Sequence, residues 1–184
     1  MGDLYGRSLV RLAKKCEEAA DGLHNMRDNL PRNANSITGS IGRIFDISSQ
    51  LQELDQAQGD EQYAASFYLI HNDLAVLRPT LEGTMDTIFE MFGSTVTRSY
   101  AAAWEAMTQR MDQEEGKDLF QRLGWYQDFL KALFEQIDGQ PVRNPTELRR
   151  ALVQLTERQE YTARKARRQS AETSGNDGLM HPQP

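Results

Sequence analysis

Apolar residues recur at spacings of three and four from one end of the chain to the other. Tyr5, Leu9, Leu12, Cys16, Ala19, Leu23, Met26 and Leu30 fall on one helical face, and Pro31 closes that run. A second run follows Asn33, Asn35 and Ser36, any of which can cap it. Its stripe is Ile37, Ile41, Ile44, Ser48 and Leu51, widened by Phe45, Ile47 and Leu54, and Gly59 ends it. In the third run Tyr63, Phe67, Ile70, Leu74 and Leu77 lead to Pro79, beyond which Leu81, Met85, Ile88 and Phe92 keep the same phase. A proline removes one backbone donor and crowds the preceding turn, so the pattern fits one kinked helix or two abutting ones. Gly93 and Ser94 mark the next boundary.

The fourth run, over about 95–114, carries Val96, Tyr100, Ala103, Trp104, Met107 and Met111. The fifth, over 117–138, has Leu119, Leu123, Tyr126, Leu130, Leu133, Phe134 and Ile137 on one face. Trp125 and Phe129 broaden that face and place this helix at the centre of the packing. Asn144-Pro145-Thr146-Glu147 is a start signal: a cap, a proline at the first helical position, and an acid three residues after the cap. The last helix opens on Leu148, Leu152 and Leu155, but the same face continues as Gln159, Thr162 and Ala166. It is expected to pack at its start and project at its end. No stretch alternates with period two, and no hairpin turn lies between apolar runs. The expected fold is all-α, an antiparallel bundle of about six helices with a disordered C-terminal tail. The expected divisions are a bundle over 1–157, a basic and partly projecting helix end over 158–169, and the tail over 170–184.

The 184 residues suffice for one domain. No apolar run approaches the roughly 20 residues that span a bilayer. Charges break up the first thirty residues, so no secretory leader is expected. Cys16 is the single cysteine, which excludes an intrachain disulfide and suits a reducing compartment, cytoplasmic or nuclear. The net charge of -6 is unevenly spread. Residues 1–140 carry 13 Lys/Arg against 22 Asp/Glu, whereas residues 141–169 carry 8 against 3. An acidic body therefore bears a basic C-terminal segment.

A di-iron site in a bundle needs two Glu-x-x-His motifs, and the nearest approach is the lone Asp21-Gly22-Leu23-His24. Asp112 to Asp118 resembles a calcium loop, but Lys117 stands where the turn needs glycine, so the cluster reads as the solvated end of a helix. Cys16 lies on an apolar stripe, where burial silences a thiol. His71-Asn72-Asp73 fan out around a helix. No phosphate-binding glycine loop is present. No catalytic, cofactor-binding or metal-binding residue is assigned, no cofactor or small-molecule substrate is expected, and the chain is read as not an enzyme. Met85, Met91, Met107 and Met111 read as core, and Gly39, Ser40, Gly42, Ser48 and Ser49 as places for close helix approach.

The basic segment carries the functional expectation. Arg158, Arg164, Lys165, Arg167 and Arg168 are candidate ionic contacts with a partner, and Arg167-Arg168-Gln169-Ser170 makes Ser170 a candidate phosphorylation site. The bulky apolar residues of a membrane-lying helix are missing, and the acidic body repels nucleic acid. A protein partner or a second copy of the chain is favoured over nucleic acid or membrane. An electrostatic tether to nucleic acid or anionic lipid is the alternative.

Three stretches resemble a known pattern: Ile44-Phe45-Asp46-Ile47-Ser48-Ser49 running to Asp55, Asn72-Asp73-Leu74 through Met91-Phe92-Gly93, and Trp104 through Glu114-Glu115-Gly116 to Leu130. Over about residues 30–160 the chain resembles an uncharacterised all-helical N-terminal domain of predicted filamentous-fungal proteins. That resemblance implies an intracellular interaction module and supplies no site residues.

Overall fold

The computed structural model describes residues 3–115, 117–140 and 146–176. They form six helices: α1 (Asp3–Arg27), α2 (Ala34–Gln58), α3 (Ala64–Ser94), α4 (Tyr100–Glu115), α5 (Leu119–Ile137) and α6 (Thr146–Asn176). No strand occurs among the described residues. The run through Pro79 is one helix, α3, with the proline inside it.

Side-chain pairs fix the helix directions. Lys15 meets Asp86 at 2.6 Å, and Gly22 lies against Phe92, so α1 and α3 run parallel. Asp73, Thr80 and Thr84 of α3 meet Arg149, Thr156 and Gln159 of α6 in the same order, again parallel. Gly39 and Asp46 of α2 meet Phe120 and Gln127 of α5. The short turn at 28–33 reverses α2 against α1. Thus α1, α3 and α6 point one way, and α2, α4 and α5 the other.

α5 sits where these layers meet. Leu123, Tyr126, Phe129, Leu130 and Leu133 are all fully buried. The stripe of α1 is buried as the spacing predicts, from Leu9 through Cys16 and Leu23 to Leu30. The four middle methionines are core residues too. Of the small residues in α2, Ser40 and Ser48 are buried, and the Ser48 hydroxyl donates to the Glu17 carboxylate at 2.8 Å while lying 3.2 Å from the Ala13 carbonyl. Gly39 leaves room for the Phe120 ring, while Gly42 and Ser49 face solvent.

Local chemistry sets the helix ends. Asp118 caps α5: its carboxylate accepts from the Gln121 N–H at 2.8 Å, and the Gln121 side chain accepts from the Asp118 N–H at 3.3 Å. At the other end Gly139 adopts a φ of 66°, which lets the Gln140 N–H reach back to the Glu135 carbonyl at 2.9 Å. At α2 the Asn33 side chain makes no cap hydrogen bond.

Two boundaries differ from the sequence expectation. The fourth helix starts at Tyr100, not near residue 95, and Val96 is exposed. The Ser94 and Thr95 hydroxyls donate back to the Met91 and Phe92 carbonyls at 2.8 and 2.7 Å, which favours a turn over a new helix. Ser99 then accepts from the Ala102 N–H at 3.2 Å and caps α4. At the far end, α6 continues through Ser170 to Asn176. Each residue added to an existing helix gains one hydrogen bond without a new nucleus, so propagation carries it past the last core contact. Asn144 and Pro145 of the start signal, and residues 177–184 of the expected tail, lie outside the described residues.

Candidate functional site

α6 is held on the body by a polar seam. Tyr126, fully buried on α5, donates to the Thr80 carbonyl at 3.1 Å, and its oxygen is 2.7 Å from the Thr84 hydroxyl. The Gln159 amide donates to the same Thr80 carbonyl at 3.3 Å and to Thr84 Oγ1 at 3.1 Å. A carbonyl oxygen only accepts, so this contact fixes which end of the Gln159 amide faces Thr80. Gly83 makes the approach possible, because a Cβ there would lie 2.8 Å from Gln159 Oε1. Thr80 also pairs with Thr156. The face of α6 that reads as running out of core at Gln159 therefore stays packed there, by hydrogen bonds instead of apolar contact.

A second buried polar group joins α4 to α5. Glu114 and Arg122 are both fully buried and pair at 2.7 Å. Arg122 also donates to the carbonyls of Met111 and of Lys117, the latter at 3.2 Å. Arg110 reaches Glu114 at 3.3 Å and also pairs with Glu90 of α3. Arg158 of α6 donates to the Glu114 carbonyl at 3.0 Å. The expectation of a solvated acidic cluster at 112–118 is corrected here: Glu114 continues the Ala103, Met107, Met111 stripe and is carried into the core, where Arg122 neutralises it. Arg122 likewise falls in phase with Leu119, Tyr126 and Phe129. Those phases are visible in the sequence and are the signal that identifies both residues.

The basic segment divides along α6. Arg158 is spent on the body. Arg164 pairs with Glu160 one turn earlier at 3.0 Å, with 72% of its side chain exposed. Lys165, Arg167, Arg168 and Ser170 are exposed, as is Tyr161 at 69%. The Ser170 hydroxyl donates to the Ala166 carbonyl at 3.1 Å. Arg167 also borders an open cleft of about 620 Å³ between α3, α4 and α6, walled by Pro79, Gly83, Phe89, Arg110 and Gln159.

The other candidates do not converge. His24 and His71 are exposed on different helices, whereas Asp73 is buried and pairs with Arg149 at 3.3 Å. Among the described residues no group of three or more His, Cys, Asp or Glu is placed to hold a metal ion. No described helix is long and apolar enough to cross a membrane.

Burial pushes the Cys16 thiol up to about 12, with Lys15 opposing and Glu17 adding, and burial also raises the Tyr126 hydroxyl. In the unfolded chain these groups ionise from about 9 and 10. The folded state therefore holds its protons while the unfolded state releases them, and stability is complete below pH 9 and falls as pH rises. By pH 11 Cys16 alone accounts for a loss of about 2–3 kcal/mol. Urea unfolding from pH 8 to 11 measures this, and Cys16→Ala makes the decline visibly shallower. An unchanged slope in that variant refutes the assignment.

No family model, curated protein or solved structure matches the chain.

Proposed function

We propose that this chain is a non-catalytic, intracellular helical module that binds an acidic protein surface through the exposed cations of the α6 end. The observation that carries the reading is the contrast within α6. Arg149 and Arg158 are engaged by the body, while Lys165, Arg167 and Arg168 have no ionic partner among the described residues. The body beneath is acidic, so these exposed charges form a local field of opposite sign along the end of α6, an arrangement that speeds encounter with an acidic partner. The intracellular placement is supported by the lone buried cysteine and by the resemblance to helical domains of filamentous-fungal proteins.

The test is the simultaneous change of Arg164, Lys165, Arg167 and Arg168 to Gln in the full chain. Each side chain is exposed, so stability stays within about 0.5 kcal/mol of the parent. Binding to a poly-glutamate column at low salt is expected to be lost, and the parent's binding to weaken steeply with salt. Preferential binding of the parent to duplex oligonucleotide or to phosphatidylserine vesicles replaces the protein partner with the tether alternative. Equal retention of parent and variant on all three probes overturns both.

A further inference from the structure

We infer that Ser170 is a phosphorylation site for a basophilic serine/threonine kinase, and that the exposed end of α6 is what makes it usable. The local sequence is necessary and specific within this chain. Ser170 is the one serine or threonine with basic residues both two and three positions before it, Arg168 and Arg167. Sequence alone leaves open whether the hydroxyl can be reached, and a serine in a packed helix cannot.

Packing answers that. Up to residue 171, the last buried residue of α6 is Gln159, Thr162 and Ala163 are half-buried, and every residue from 164 to 171 is exposed. Ser170 is tied by its bond to the Ala166 carbonyl, within its own helix. A kinase takes its substrate as an extended strand, so residues 167–173 must leave the helix to be modified. That unwinding breaks backbone hydrogen bonds but moves no buried side chain among residues 167–171, and it leaves the Gln159, Thr80 and Tyr126 seam intact. Helix ends of this kind open at a free-energy cost near zero. The two arginines are exposed and unpaired among the described residues, so they are available to an acidic substrate groove.

In the reaction the Ser170 oxygen attacks the γ-phosphorus of ATP. An O–P bond forms, the bond to the bridging oxygen breaks, ADP departs, and the serine proton passes to the kinase's base. The product carries a charge of about -1.5 to -2 at pH 7. Residues 164–170 hold four cations and no acid, so about half of that local charge is cancelled. Weakened hold on an acidic partner follows, a consequence that rests on the function proposed above.

The test needs no partner, so the two readings fail separately. The full chain, Ser170→Ala, the double variant Arg167→Gln/Arg168→Gln, and a peptide of residues 164–173 are incubated with ATP and a kinase catalytic subunit selective for Arg-Arg-x-Ser. Intact mass and fragment mass spectrometry locate the phosphate. One phosphate on Ser170 is expected, at a rate within about tenfold of the free peptide, since opening is nearly free. It is absent from Ser170→Ala and strongly slowed in the double variant. A modified peptide with an unmodified full chain means that α6 stays closed and overturns the inference. So does an unmodified peptide, or phosphate placed on another residue.

Discussion

Arg122→Met is expected to lower the stability of the folded chain by about 3 kcal/mol, near the bottom of the 3–5 kcal/mol range for breaking a buried ion pair. The substitution leaves the Glu114 carboxylate fully buried without its strongest partner. Arg110 still reaches Glu114 at 3.3 Å, and that residual contact is what keeps the loss at the lower end. The companion Glu114→Leu/Arg122→Met removes both charges and recovers part of the loss. Recovery is incomplete, because the Met111 and Lys117 carbonyls lose a donor that no apolar side chain replaces. Urea unfolding of the three proteins decides it. If Arg122→Met unfolds within about 1 kcal/mol of the parent, the pair is not the clamp between α4 and α5 described above.

Phe129→Ala is expected to cost about 3–5 kcal/mol, a large share of the roughly 5–15 kcal/mol by which such a domain is stable. Its ring is fully buried on the broad face of α5, amid layers that cannot all collapse into the space it leaves. Phe45→Ala is the control. That ring belongs to the widened stripe of α2 by spacing, yet it is 42% exposed, and its loss is expected to cost well under half as much. Equal losses at the two positions contradict the central place given to α5.

Much of this architecture is legible in the sequence, for a definite reason. Where apolar residues line a face, as from Leu9 to Leu30 or Leu119 to Ile137, period and burial carry the same information. The burial of Cys16 follows directly from its phase. Pro79 shows the limit: spacing allows one helix or two, and only packing of both halves on α6 decides for one. Polar core residues fail differently. Glu114, Arg122 and Gln159 stand in phase with the core, but charge and amide type argue for solvent. The partner that reverses the argument lies on another helix and has no fixed distance along the chain. The end of α4 thus reads as a solvated acidic cluster until Arg122 is seen beside it. Likewise the start of α4 is set by the hydroxyls of Ser94, Thr95 and Ser99, whose bonds to backbone leave no mark on the hydrophobic period. The basic end of α6 was visible as charge; which cations the body absorbs was not.

The parallel pairing of α3 with α6 has a consequence for how the chain acquires its shape. Thr80 and Thr156 are 76 positions apart, and Gln159 meets Thr84 across 75, whereas the turn at 28–33 brings α1 and α2 together almost at once. Contacts so distant along the chain close slowly, after the loop entropy between them has been met. α6 is therefore a natural latecomer in folding, together with the α2–α5 pairing, where Asp46 and Gln127 stand 81 positions apart, and the α1–α2 hairpin precedes both. The turns that carry the exposed cations thus hang from one of the late pairings of the molecule.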